Sequence, residues 1–154
     1  MKKQLVLTLF GLGSLPFSAT LASAIAAAVY LVAGKLDAEN AFYLNADIFF
    51  LILVAALAEF YYTQVEADPK EIVADEFLGM FLCLLIARET GWIVVSLLFV
   101  AFRILDIFKF PPFTWIERMK SQYAILWDDL AIGACIGLVY TLCRVLSGNS
   151  FWFA

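Results

Sequence analysis

The sequence predicts an all-α membrane protein, a polytopic helical bundle of about five spans with one short interfacial helix. Three observations predict it. Hydrophobic residues make up 64 % of the 154 positions, against about 45–50 % in soluble domains. The mean hydropathy is +0.92. The apolar runs are long and continuous, which favours helices over a barrel, whose strands would alternate. The length suits one domain, residues 1–154.

The elements follow in order. "MKKQLVLTLFGLGSLPFSATLASA" has the basic start, apolar middle and small-residue end of a secretory signal. Its apolar run continues to Gly34 with no polar mature start, so residues 15–33 are read as the first membrane helix. A Gly/Ser/Pro turn at 11–16 leads into it. Residues 35–45 are a polar connection. A second span covers 47–62, starting near Asn45, with Tyr61 and Tyr62 suited to an interfacial belt. Asp68-Pro69-Lys70-Glu71 reads as a helix start, with Asp68 as N-cap, and that helix should run to about Ala87. Gly91 opens a fourth run, which ends at Pro111-Pro112. Residues 113–121 are amphipathic and should lie at the interface, with Phe113, Trp115 and Ile116 setting its depth. The last span runs from about Ile125 to Leu146. The chain shows no repeat or second domain.

Composition also excludes functions. The net charge is −4 and there is no basic stripe, which argues against nucleic-acid binding. Cys83, Cys135 and Cys143 lie in apolar runs without metal or disulfide spacing, and read as small hydrophobes. The absence of histidine excludes a histidine nucleophile or base. Cys83 and Arg88 are one residue too close for a Cys-x5-Arg phosphatase loop, and no Asp-x-Asp signature is present.

With a cytoplasmic N-terminus and five spans, seven basic residues fall inside (Lys2, Lys3, Lys70, Arg103, Lys109, Arg118, Lys120) and three outside (Lys35, Arg88, Arg144). This orientation places Asp75, Glu76, Asp106, Asp128 and Asp129 at the cytoplasmic ends of spans. Ile72, Asp75, Glu76 and Gly79 share one helix face. Arg103 and Asp106 are i, i+3 neighbours. Asp129, Gly133 and Gly137 form a stripe that permits tight helix packing.

Singly, each acid has a plainer reading. Asp75 and Glu76 fit solvated interfacial acids, Asp106 a structural pair with Arg103, and Asp128 or Asp129 a cap on the last helix. Glu59, one turn from the end of the second span, fits either a sixth ligand or a snorkelling acid. Five acids at one level are harder to dismiss, because boundary carboxylates are costly unless they pair, protonate or hold a cation. All-oxygen ligands point to Mg²⁺ or Mn²⁺ and against Zn²⁺. Basic residues beside an acid-bound metal suggest a phosphate-bearing substrate.

Three blocks resemble a known family. "DPKEIVADEFLGM" (68–80), "FRILDIFKFPPFTWIER" (102–118) and "AILWDDLAIG" (124–133) are similar to the motifs of the phosphatidylglycerophosphatase A family. The resemblance covers roughly 11–137. Ile72, Val73, Asp75, Glu76 and Gly79 match its first block; Phe102, Arg103, Asp106, Lys109 and Pro112 its second; Asp128, Asp129 and Gly133 its third. Thr20 and Ser23 match an N-terminal block. The chain departs at Ser18, Ala19, Ala22, Phe110, Ser121, Gln122 and Ala124, mostly where the family carries glycine or proline, and so loses positive-φ options and close backbone approach there.

The resemblance implies a Mg²⁺-dependent hydrolase that converts the phospholipid phosphatidylglycerophosphate to phosphatidylglycerol and phosphate at the bacterial inner membrane, with its site on the cytoplasmic side. Asp75, Glu76, Asp106, Asp128 and Asp129 would be the metal-holding and catalytic residues. Arg103, Lys109 and Thr20 would bind substrate. Water attack with a carboxylate as base, or attack by an aspartate or Thr20, both remain open in the sequence. Two rival classes are a small cation transporter or relay, which would want acids near the midplane and inverted repeats, and a catalytically weak relative that has lost the motif glycines.

Overall fold

The computed structural model describes residues 4–36, 40–63, 71–108, 111, 115 and 123–148. Among these the regular structure is helical and contains no strand. The elements that lie wholly within the described residues are a 3₁₀ turn at 12–14 and the helices α1 (Ser18–Leu36), α2 (Ala41–Thr63), α3 (Ala74–Ala87), α4 (Trp92–Phe108) and α5 (Ala124–Leu146). Segments of α1, α2 and α5 are long and apolar enough to cross a membrane. At 14 and 17 residues, α3 and α4 are shorter. A rise of 1.5 Å per residue makes α3 about 21 Å long, against a hydrocarbon core of about 30 Å. Helix α3 is therefore shorter than that core is thick.

Of these five helices the shortest, α3, is the central one. Phe77, Leu78, Gly79, Met80, Phe81, Cys83 and Leu84 of α3 are buried. It packs against α1, α2, α4 and, most extensively, α5. The other helices turn apolar side chains outward: Phe50, Leu51 and Val54 on α2, Ile93, Leu97 and Val100 on α4, and Leu138, Val139 and Leu142 on α5 are exposed. That is the pattern for a bundle with lipid around it. Phe81 joins three helices, with its ring against Tyr30 of α1, Phe49 of α2 and Phe77 of α3.

Glycines set the α3–α5 seam. A methyl group on Gly79 would meet the carbonyl oxygen of Asp129 at 2.6 Å and the ring of Phe102 at 2.9 Å. One on Gly133 would run into the backbone of Gly79, and one on Gly137 would lie 2.8 Å from the carbonyl oxygen of Cys83. Backbone therefore meets backbone along the stripe expected from sequence. One turn further, the Thr141 hydroxyl lies 2.8 Å from Gly137 O of its own helix and 3.2 Å from Ile86 O of α3.

Several boundaries differ from those expected. Helix α1 starts at Ser18 rather than residue 15, because 12–14 form the 3₁₀ turn. Helix α2 starts at Ala41, and α5 at Ala124. The largest correction is α3, which begins at Ala74 rather than near Pro69. Its N-cap, Val73, supplies no side-chain hydrogen bond. The carbonyl of Leu7 instead accepts from Val73 N (2.9 Å) and Ala74 N (3.1 Å), satisfying donors that a helix start leaves open. Asp68 and Lys70 lie outside the described residues, as does 113–121 apart from exposed Trp115.

Before α1, the chain turns tightly. Leu9, Phe10 and Phe17 take left-handed backbone conformations at φ 45°, 59° and 60°. Each costs about 1–2 kcal/mol for a residue with a side chain. At the opposite end of α3, Arg88 closes the helix at φ 52°, and its guanidinium lies 4.2 Å from the Phe42 ring centroid. Glu89 and Arg144 form an ion pair there at 2.7 Å. The cations Arg88 and Arg144 therefore sit at the end away from Asp75.

Candidate metal centre

Asp75 and Glu76 occupy the first turn of α3, where the helix dipole favours negative charge. Asp129 stands on the second turn of α5, one turn before Gly133. The glycine seam brings these turns together. One carboxylate oxygen each from Asp75, Glu76 and Asp129 lie within 4.8 Å of one another. Asp75 and Asp129 are buried, and Glu76 is half-buried. At that spacing each pair of like charges costs roughly 3–4 kcal/mol at an effective dielectric of 20. Two buried oxygens, Asp75 Oδ1 and Glu76 Oε2, have no hydrogen-bond partner among the described residues. Clustered carboxylates with open oxygens fit a divalent cation that prefers oxygen ligands.

The remaining acids are arranged differently. Asp106 pairs with Arg103, whose Nη1 donates to Asp106 Oδ2 at 2.5 Å, the i, i+3 pair expected from spacing. The charges of both side chains bear on Glu76. Arg103 Nε is buried and has no hydrogen-bond partner among the described residues. Asp128 is buried, and its Oδ1 accepts from the backbone N of Asp129 at 3.1 Å. Neither Asp106 nor Asp128 belongs to the three-residue group. Of the adjacent pair Asp128 and Asp129, Asp129 is the one on the stripe with Gly133 and Gly137 that meets α3. Neither residue caps α5, whose N-cap is Tyr123.

Thr20 is exposed on the first turn of α1, whereas Ser23, one turn on, is buried and bonds to Ala19 O of its own helix. Lys109 lies outside the described residues. The departures at Ser18, Ala19, Ala22 and Ala124 all fall in helical backbone, where a glycine would be the poorer helix former. Phe110, Ser121 and Gln122 lie outside the described residues.

Two contacts exceed what the sequence indicated. The Phe102 ring packs on Gly79, so the second motif block helps seat the first. Glu59, open between a ligand and a snorkelling acid in the sequence, turns its carboxylate to the backbone N–H groups of Leu5, Val6 and Leu7. The available signal was a lone acid within an apolar span, which requires a partner.

Fold and cluster together define a helical membrane protein with a buried carboxylate centre of the kind that holds a divalent cation. The chain belongs to the phosphatidylglycerophosphatase A family, whose model matches residues 5–144. It is similar to the phosphatidylglycerophosphatase A of Escherichia coli (strain K12), at 37 % identity over 75 residues, 47 % of this chain and 44 % of that one. A second relative, the phosphatidylglycerophosphatase A of Haemophilus influenzae (strain ATCC 51907 / DSM 11121 / KW20 / Rd), is 34 % identical over 64 residues, 41 % of this chain and 39 % of that one. The match thus spans less than half the length of these curated relatives. No solved structure matches the chain.

Proposed function

We propose that this chain, as one membrane-embedded domain, hydrolyses phosphatidylglycerophosphate to phosphatidylglycerol and inorganic phosphate in a Mg²⁺-dependent step of phospholipid biosynthesis. The observation that carries this reading is the buried group of Asp75, Glu76 and Asp129 in a member of a family bearing that name. Asp75, Glu76 and Asp129 would hold the ion, with Asp106 and Asp128 beside them. When bound, Mg²⁺ would neutralise phosphoryl charge and lower the pKa of water.

The protein's own groups supply the rest. Arg103 spends one nitrogen on Asp106 and leaves Nε for a phosphate oxygen. Lys109 is the second cation. The hydroxyl of Thr20, exposed to approaching lipid, contacts the headgroup. A carboxylate of the cluster takes the proton of the attacking water, and the glycerol hydroxyl leaves. Phosphoryl transfer asks chiefly for positioning and charge neutralisation, which this donor set provides. Acyl chains remain in lipid while the phosphate reaches the acids. The excess of basic residues at that end supports a bacterial inner membrane protein with its site on the cytoplasmic side.

Purified protein in detergent micelles should release phosphate from phosphatidylglycerophosphate with Mg²⁺ and fail to do so with a chelator. Absence of metal-dependent release would overturn the reading.

A further inference from the structure

Glu59 makes an unusual set of hydrogen bonds. Its Oε1 accepts from Leu5 N at 2.7 Å, and its Oε2 accepts from Val6 N and Leu7 N, both at 2.8 Å. Three successive backbone donors thus converge on one carboxylate near the end of α2. All three distances lie at the short end of the range for N–H···O hydrogen bonds. Leu7 is then held on three counts. Its N–H is bound to Glu59, its side chain is fully buried, and its carbonyl accepts from Val73 N and Ala74 N. The next two residues are Asp75 and Glu76.

Nearby contacts secure the same segment. Gly13 lies so close to the Glu71 backbone that a methyl group there would collide with it. The left-handed turns at Leu9 and Phe10 double the chain back between these anchors. Without a side-chain cap on α3, the first helical turn depends on Leu7 for its end. A free helix start frays, and fraying here would spread the two carboxylates.

We propose that Glu59 is a positioning residue for the acidic cluster, acting through the N-terminal segment: it fixes Leu7, Leu7 fixes the first turn of α3, and that turn aims Asp75 and Glu76 at Asp129. This rests on the cluster being a divalent-cation site. Groups that hold ligands in place typically govern metal affinity or activity by 10–100-fold. Glu59 bears on the ligands and not on the lipid headgroup, so its loss should weaken metal affinity and lower kcat while leaving KM for the lipid nearly unchanged.

The test uses the full chain in detergent. Mn²⁺ binding is followed by electron paramagnetic resonance, and backbone amide exchange by mass spectrometry. Wild type should bind Mn²⁺. E59L should bind it about 10-fold or more weakly, with faster exchange over residues 72–76. E59Q, which retains one acceptor oxygen, should fall between the two and carries the test if E59L does not fold. Unchanged Mn²⁺ affinity in the Glu59 variants, or unchanged exchange over 72–76, would overturn the positioning role while leaving the metal site intact. Failure of wild type to bind Mn²⁺ would overturn the metal site, and the positioning role with it.

Discussion

Replacing Gly79 by alanine places a methyl group 2.6 Å from the carbonyl oxygen of Asp129 and 2.9 Å from the Phe102 ring. An ordinary contact begins near 3.4 Å. The helices must therefore part by about 0.8 Å, the difference between those two distances, at the residue that supplies one of the three clustered carboxylates. The Phe102 atom met is Cζ, at the tip of a side chain that must shift as a whole to give way. The carbonyl of Asp129 cannot give way, because it belongs to the backbone of α5. Overpacking of this kind costs about 1–3 kcal/mol. Alanine returns about 1 kcal/mol through its better helix propensity. The net loss of stability is thus on the order of 0–2 kcal/mol, and the protein should still fold.

Activity should suffer far more. A misplacement approaching 1 Å costs on the order of 10²-fold in rate. Gly79→Ala should therefore lower kcat for phosphate release by about two orders of magnitude while its melting temperature in detergent falls only a few degrees. Gly34→Ala is the control. Its methyl group would lie 3.6 Å from Thr90 Cγ2, an ordinary contact on α1, and kcat should not change. Wild-type kcat in Gly79→Ala would refute the claim that the glycine seam sets the distance between the acids.

Four further outcomes are expected. Asp129→Asn should abolish phosphate release yet leave the melting temperature in detergent close to wild type; retained activity would remove Asp129 from the site. Chelation should stop the reaction and Mn²⁺ should restore it better than Zn²⁺, since the donors are all oxygen; equal rescue by Zn²⁺ would count against that donor set. Thr20→Ala should raise KM several-fold with kcat within about twofold, as a headgroup contact would; complete loss of kcat would instead make Thr20 the nucleophile. Glu89→Gln breaks the ion pair with Arg144 at the far end of the bundle. It should cost roughly 0–1 kcal/mol of stability and leave kcat untouched, and a large fall in kcat would show that the two ends are coupled.

The sequence revealed what periodicity and composition encode directly. Apolar runs gave the helices, and the spacing of Asp129, Gly133 and Gly137 gave the seam that the backbone contacts display. The i, i+3 pairing of Arg103 with Asp106 was likewise legible, because both residues lie on one helix. Convergence of Asp75 and Glu76 with Asp129 could be inferred only by adding a topology. What stayed hidden was carried by backbone groups. The start of α3 looked like Asp68-Pro69, a pattern of side chains. Its end is in fact closed by the carbonyl of Leu7, which leaves no mark on a sequence because every residue has one. Glu59 was ambiguous for the same reason: its partners are the N–H groups of Leu5, Val6 and Leu7.

The five boundary acids consequently divide by what each helix lets it reach. Asp75, Glu76 and Asp129 meet because Gly79 and Gly133 remove the side chains that would hold α3 and α5 apart. Asp106 stands on α4 and is engaged by Arg103, so its charge reaches Glu76 only beside that of a cation. Asp128 accepts from the backbone N of Asp129 through its Oδ1. Identical chemistry on three helices is therefore arranged in two ways among the described residues. Asp75, Glu76 and Asp129 bring carboxylate oxygens together, whereas Asp106 contacts Arg103 and Asp128 the backbone N of Asp129. Substitutions should separate accordingly, with Asp75, Glu76 and Asp129 governing metal affinity and Asp106 acting through the orientation of Arg103.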